Sequence, residues 1–118
     1  MSAQSHFRTK RVFESAEASD GMRVLVDRMW PRGLRKEDAH IDIWLKDIAP
    51  SPALRQWFGH DPSKWEEFKQ RYLCELKEND EQVWLLKQEI KKGALTLVYA
   101  AKDTGHNEAL VLQEFLSS

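Results

Sequence analysis

Arg23–Gly33 reads RVLVDRMWPRG, and its two halves differ in character. Val24-Leu25-Val26 is a short continuous apolar run of the kind that forms a strand buried on both faces. Asp27, Arg28, Trp30, Pro31, Arg32 and Gly33 follow at once, a set that no core would select. The Trp-Pro step disfavours helix at Trp30, and Gly33 lets the chain turn. The stretch therefore predicts a strand, Met22–Arg28, that carries an acid, two guanidinium groups and an indole to the lip of a sheet.

A second apolar run, Ala94–Ala101 (ALTLVYAA), has the length and composition of a central strand covered on both faces. His6–Phe13 mixes β-formers with basic residues and reads as a modest edge strand, preceded by a frayed stretch over residues 1–5. Glu14–Gly21 is a polar turn punctuated by Asp20-Gly21. Leu34–Ala49 is ambiguous: Arg35–Asp38 look solvated, while Ile41, Ile43, Leu45 and Ile48 suit an extended or short helical piece lying on the core.

Helices fill the remainder. Ser51-Pro52 places a capping hydroxyl before a proline at the first helical position, and Gly59 suits the stop. Asp61-Pro62 repeats the device and opens a helix to about Lys77, with Trp65, Phe68, Tyr72 and Leu76 on one inward face. Asn79 or Asp80 opens the next, with Val83, Leu86 and Ile90 inward and Gly93 at its end. Asn107–Leu116 forms the last.

This order predicts a small single α/β domain over residues 1–118, with a mostly parallel β-sheet flanked by helices. In such sheets ligands bind beyond the carboxyl ends of the strands. One such end carries Asp27, Arg28, Trp30 and Arg32; the other carries Lys102, Asp103, Thr104, Gly105, His106 and Asn107. Parallel strands bring both sets to one edge.

The chemistry of these residues suits an anion. Arg28 and Arg32 offer planar forks for a phosphate or carboxylate, and Lys102 adds a point charge. The helix start around Thr104–Asn107 presents free backbone N–H groups, making Asn107 a further ligand candidate. Trp30 can stack on a flat ring. Asp27, Asp103 and His106 are the candidate catalytic acid–base groups, with the imidazole the natural proton carrier near neutral pH.

Structural roles compete with each of these. Asp27-Arg28 equally suits an ion pair or a turn anchor, and His106 a helix-start residue. The basic run Arg28, Arg32, Arg35, Lys36 suits a solvated loop better than a nucleic-acid patch. His60 reads as structural and Cys74 as a buried or inert thiol. The histidines at 6, 40, 60 and 106 lack metal-ligand spacing, and no nucleotide-loop or nucleophile-elbow motif occurs, so neither metal nor cofactor is expected.

Composition narrows the classes further. Eighteen basic and 19 acidic residues give a net charge of −1, which disfavours a general nucleic-acid or membrane-surface binder. A single cysteine excludes an intrachain disulfide, and no apolar stretch has the length of a membrane span or the form of a signal peptide. A cytoplasmic location is expected.

RVLVDRMWPRG (23–33), WLKDIAPS (44–51), LRQWFGHDP (54–62), WEEFKQRY (65–72) and YAAKDTGHNEALVL (99–112) together resemble the YeaO-like proteins, a bacterial branch of a larger domain-of-unknown-function family. The resemblance runs from about Lys10 to the C-terminus. It implies a compact α/β domain with a site shared between Asp27-Arg28 and the late loop. In the wider family that loop commonly reads Cys-His-Arg, whereas Gly105-His106-Asn107 stands here. The expected function is binding of an anionic, ring-bearing small molecule such as a nucleotide or sugar phosphate, with hydrolysis or group transfer left open. The alternative is a non-enzymatic nucleic-acid-associated or protein-binding regulatory module.

Overall fold

The computed structural model describes residues 7–117; His6, placed in the predicted first strand, and the expected frayed stretch over residues 1–5 lie outside the described residues. Four strands, β1 (Phe7–Arg11), β2 (Met22–Leu25), β3 (Ile43–Trp44) and β4 (Leu95–Tyr99), form one sheet in the order β1-β4-β2-β3. Every pairing is parallel: Phe7 lies opposite Leu95, Met22 also opposite Leu95, and Val24 opposite Ile43. The helices are α1 (Lys36–Ala39), α2 (Pro52–Phe58), α3 (Trp65–Lys77), α4 (Asp80–Lys91) and α5 (Glu108–Ser117).

The two-residue period of a strand divides the apolar runs between the two faces of the sheet. Val24, Val26, Leu95, Leu97 and Tyr99 join the main core with Leu54 and Phe58 of α2, Phe68, Tyr72 and Leu76 of α3, Leu86 of α4, and Leu112 of α5. Leu25 and Val98 face the other way, with Val12, against Trp30, Leu34 and Ile41. The larger helices thus form one layer, and the second face is covered by the segment that contains α1. The ambiguous stretch resolves into α1, β3 and a 3-10 turn, Lys46–Ile48.

The second face also holds a buried polar centre that the sequence pattern does not announce. The Asp20 carboxylate, 1% exposed, accepts from Arg23 Nη1 at 2.7 Å, Lys10 Nζ at 3.1 Å and the Glu17 backbone N–H at 3.1 Å. Burial pushes the Asp20 carboxyl upward, but these donors outweigh it and hold the group below its usual range. Arg23 is itself buried and donates from Nη2 to the Ala39 carbonyl, tying α1 to the sheet. Gly21, at φ +66°, passes so close to Ala94 that a Cβ would lie 2.2 Å from its carbonyl oxygen.

The helix ends follow local chemistry. Ser51 Oγ accepts from Leu54 N at 3.1 Å, and Gly59 ends α2 in the left-handed conformation. Asp61 caps a 3-10 turn, Pro62–Lys64, that runs into α3, so the α-helix proper starts later than its proline suggests. Asn79 stands at the N-cap of α4, but its side chain donates to the Asp47 carbonyl instead of capping. On α3, Phe68, Tyr72 and Leu76 are buried as their spacing predicts, whereas Trp65 is only half-buried at the end of the stripe. Cys74, expected as a buried or inert thiol, is exposed, which corrects the first of these alternatives.

Three bonds from α3 position the segment that leads toward the strand ends. The Tyr72 hydroxyl donates to the Ile48 carbonyl at 2.6 Å, and Glu75 accepts from Ser51 N and Oγ at 2.9 and 2.7 Å. Among the described residues no helix is long and apolar enough to cross a membrane.

Candidate functional site

Because all four strands run parallel, their carboxyl ends gather on one edge, and a pocket of about 270 Å³ opens there. Asp27 and Arg28 reach it from the end of β2, and Ala100, Ala101, Lys102, His106 and Asn107 from the end of β4. Ala49 and Pro50 close one side. Arg55 and Phe58 of α2, His60, Phe68 of α3 and Glu108 of α5 complete the lining.

Asp27 joins the two strands. One of its carboxyl oxygens accepts from the Ala100 backbone N–H at 3.1 Å, and its carbonyl accepts from Trp44 Nε1 at 2.7 Å. Its side chain also hydrogen-bonds Glu108. A helix N-terminus ordinarily favours a negative charge on a first-turn acid. Here burial dominates: it drives the Glu108 carboxyl well above the usual range, the hydrogen bond to Asp27 and that residue's charge raise it further, and nearby Arg55 opposes only in part. Part of the Glu108 residue surface is open, yet its carboxyl is packed within protein.

Arg28 reaches the pocket with its guanidinium engaged. It donates to the carbonyls of Ala49 at 3.2 Å and Pro50 at 3.4 Å, with Asp47 at 3.8 Å, so it anchors the segment after the Lys46–Ile48 turn and does not pair with Asp27. Arg55, His60 and Lys102 are exposed at the pocket mouth. The exposed cationic groups and the two less exposed acids, Asp27 and Glu108, thus share one lining.

The late loop is organised from within. Asp103 Oδ1 accepts from Gly105 N at 2.9 Å and Oδ2 meets His106 Nδ1 at 2.9 Å; these bonds hold the Asp103 carboxyl below its usual range. The imidazole stands edge-on to Trp65 with ring centres 5.3 Å apart. Asn107 is buried; its Oδ1 accepts from Leu110 N and its Nδ2 donates to the Asp103 carbonyl, so its side chain caps α5. Asp103 lies behind His106, outside the lining, as a positioning residue for the ring.

Of the residues the sequence singled out, Asp27, Arg28, Lys102, His106 and Asn107 meet in one pocket. Trp30 and Arg32 do not. Trp30 turns to the opposite face, donating from Nε1 to the Leu34 carbonyl at 2.8 Å and packing edge-on against Trp44. Arg32 is exposed in the following turn, outside the lining. The buried proline ring at position 31 between them keeps this loop against the second face.

Sequence reasoning passed over Glu108 and Arg55 and read His60 as structural, and all three line the pocket. Arg55 had a signal: it lies one turn before Phe58, which a short amphipathic helix turns inward. Glu108 reads as an ordinary first-turn acid until the position of Asp27 across the strand ends is known. His60 adopts a left-handed conformation directly after Gly59, and this turns it back toward the pocket. Among the described residues no group of three or more His, Cys, Asp or Glu is placed to hold a metal ion.

A family profile described as the inactive DUF488-N3 subclade matches residues 6–118. The chain is 46% identical over 109 residues to the uncharacterised protein YeaO of Escherichia coli K12, covering 92% of this chain and 95% of that protein. It is 39% identical over 117 residues to uncharacterised proteins of Mycobacterium tuberculosis and Mycobacterium bovis, covering 99% of this chain and 98% of each relative. No solved structure matches. The profile spans nearly the whole chain, and the relatives align over almost their full length, so this protein belongs to the inactive DUF488-N3 subclade and is a relative of YeaO.

Proposed function

We propose that the pocket at the strand ends binds a small anionic, ring-bearing molecule, such as a nucleotide or a sugar phosphate, and that the protein recognises this ligand without turning it over. The observation that carries the reading is one pocket lining that brings together Arg55, Lys102, two imidazoles, Phe58 and Phe68. Cations at a mouth over an apolar wall suit an anionic group attached to a flat ring.

Recognition is favoured over chemistry by how the polar groups are used. Gly105 stands where the wider family carries cysteine, so this position supplies no thiol nucleophile. Asn107 stands where that family carries arginine, and its side chain is consumed in capping α5. The family's description as inactive agrees with this reading.

The nucleic-acid alternative loses support in the loop after β2. Arg28 is engaged with backbone carbonyls, and Arg35 pairs with Glu37 and Asp38. Arg32 and Lys36 remain, too few for an electrostatic footprint.

Thermal unfolding with inorganic phosphate, ribose 5-phosphate, nucleoside monophosphates and heparin tests the proposal. A ligand at about 100 times its Kd should add about 2.7 kcal/mol of stability. We expect a nucleotide or sugar phosphate to raise Tm, and no phosphate release on prolonged incubation. Stabilisation by heparin alone would favour the alternative, and steady phosphate release would restore an enzyme.

A further inference from the structure

Part of the pocket lining is backbone that has already left the sheet. At the end of β4, Val12 N still donates to the Tyr99 carbonyl at 2.7 Å and Val26 N to the Val98 carbonyl at 3.1 Å. Ala100 and Ala101 come next, beyond the strand, and both line the pocket. Carbonyls of such partly buried residues need a donor from outside the ladder.

Arg11 supplies it. It stands at the end of β1, a strand that puts no residue in the lining. Its Nε donates to the Ala101 carbonyl at 3.0 Å and its Nη2 to the Ala100 carbonyl at 3.3 Å. Asp27 accepts from the Ala100 N–H at 3.1 Å, so both polar atoms of Ala100 are held, one from β1 and one from the end of β2. Arg11 is steadied in turn. Its backbone N–H donates to Glu14 Oε2 at 3.1 Å, and its guanidinium stands 5.3 Å from the centre of the Phe13 ring, a ring left 45% exposed.

Resting on the anion-binding reading, we propose that Arg11 is a positioning residue for the pocket: without touching the ligand, it fixes the Ala100–Ala101 backbone and thereby the place from which Lys102 and the late loop meet an anion. A guanidinium fork holds two neighbouring carbonyls in one geometry, which the point charge of an ammonium does not. Backbone fixed before binding spares the ligand the cost of ordering it. Arg28 serves the Ala49 and Pro50 carbonyls in the same manner, but it also lines the pocket. Arg11 is therefore the arginine at which positioning can be read apart from contact.

Isothermal titration of the full chain with ribose 5-phosphate and with inorganic phosphate, joined to amide hydrogen exchange read without ligand, tests this. Arg11→Gln should weaken binding by about tenfold or more. Arg11→Lys keeps the charge and should still lose most of that affinity, whereas Arg8→Gln removes a like charge from the same strand and should bind as the parent does. Exchange at Ala100 should quicken by about tenfold or more in both Arg11 variants, while Val98, within the sheet, stays slow. Parent-like affinity in Arg11→Gln, or full recovery in Arg11→Lys, would overturn the inference. Equal acceleration at Ala100 and Val98 would overturn it too, because the whole fold would then have loosened. If the unaltered chain binds neither phosphate, the anion reading falls by itself, and exchange at Ala100 alone decides whether Arg11 holds this backbone. Should Arg11→Gln fail to fold, Arg11→Lys carries both measurements.

Discussion

Replacing Glu108 by Gln should make this protein more stable at neutral and mildly alkaline pH. Glu108 has a folded-state pKa well above its unfolded value, because burial and the neighbouring Asp27 both penalise its charge. A raised carboxyl binds more protons in the native than in the unfolded chain, so stability is full below the unfolded value of about 4.3 and falls as pH rises toward the folded one. The slope for one proton is at most about 1.4 kcal/mol per pH unit. Other shifted groups act outside this window. Asp20 and Asp103 are lowered, so their contributions are lost only as pH falls below the carboxylate range; Lys10, Tyr72 and Tyr99 are raised, so theirs are lost only above about pH 10. A glutamine keeps the shape and can still donate to Asp27 without carrying a charge. Urea unfolding followed by tryptophan fluorescence at pH 5, 6, 7 and 8 should show a falling stability for the parent protein and a flatter profile for Glu108→Gln. Parallel profiles, or a parent stability that rises with pH, would refute the buried-proton argument.

Tyr72→Phe should cost about 1–3 kcal/mol in chemical denaturation, because it leaves the buried Ile48 carbonyl without its 2.6 Å donor; an unchanged midpoint would mean that water replaces the phenol. Phe68→Ala should cost about 3–5 kcal/mol, and Trp65→Ala less, since Phe68 is buried and Trp65 only half so; the reverse ranking would place Trp65 in the core. Gly21→Ala should lower Tm sharply, because its Cβ would collide with the Ala94 backbone; a near-native melting curve would show that the β2 entrance can shift. Asp20→Asn should cost about 3–5 kcal/mol by leaving buried Arg23 and partly buried Lys10 without their counter-charge, measured by urea titration at pH 7, and a loss below about 1 kcal/mol would contradict the buried network.

The amino-acid order by itself determined the parts that depend on near neighbours. Val24–Val26 and Leu95–Tyr99 are apolar runs that only a doubly covered strand can use, and Ser51-Pro52 and Gly59 mark helix ends through bonds to the adjacent turn. Strands separated by helices imply parallel pairing, and parallel pairing puts Asp27 and His106 at one edge; that much of the pocket is legible in the sequence. Tertiary structure alone decided which way the flanking side chains turn. Trp30 follows Asp27 by three residues yet faces the opposite side, since a buried proline and the contact with Trp44 hold its loop there. Arg28 is drawn off by the carbonyls of Ala49 and Pro50, which reach it only because Tyr72 and Glu75 on α3 fix that segment. The Glu108 carboxyl is pushed upward because the strand ends bury it and Asp27, far away in the chain, meets it there. Local patterns encode propensity and period, whereas a side chain's partner and its dielectric surroundings come from distant residues, and these exist only once the sheet has assembled.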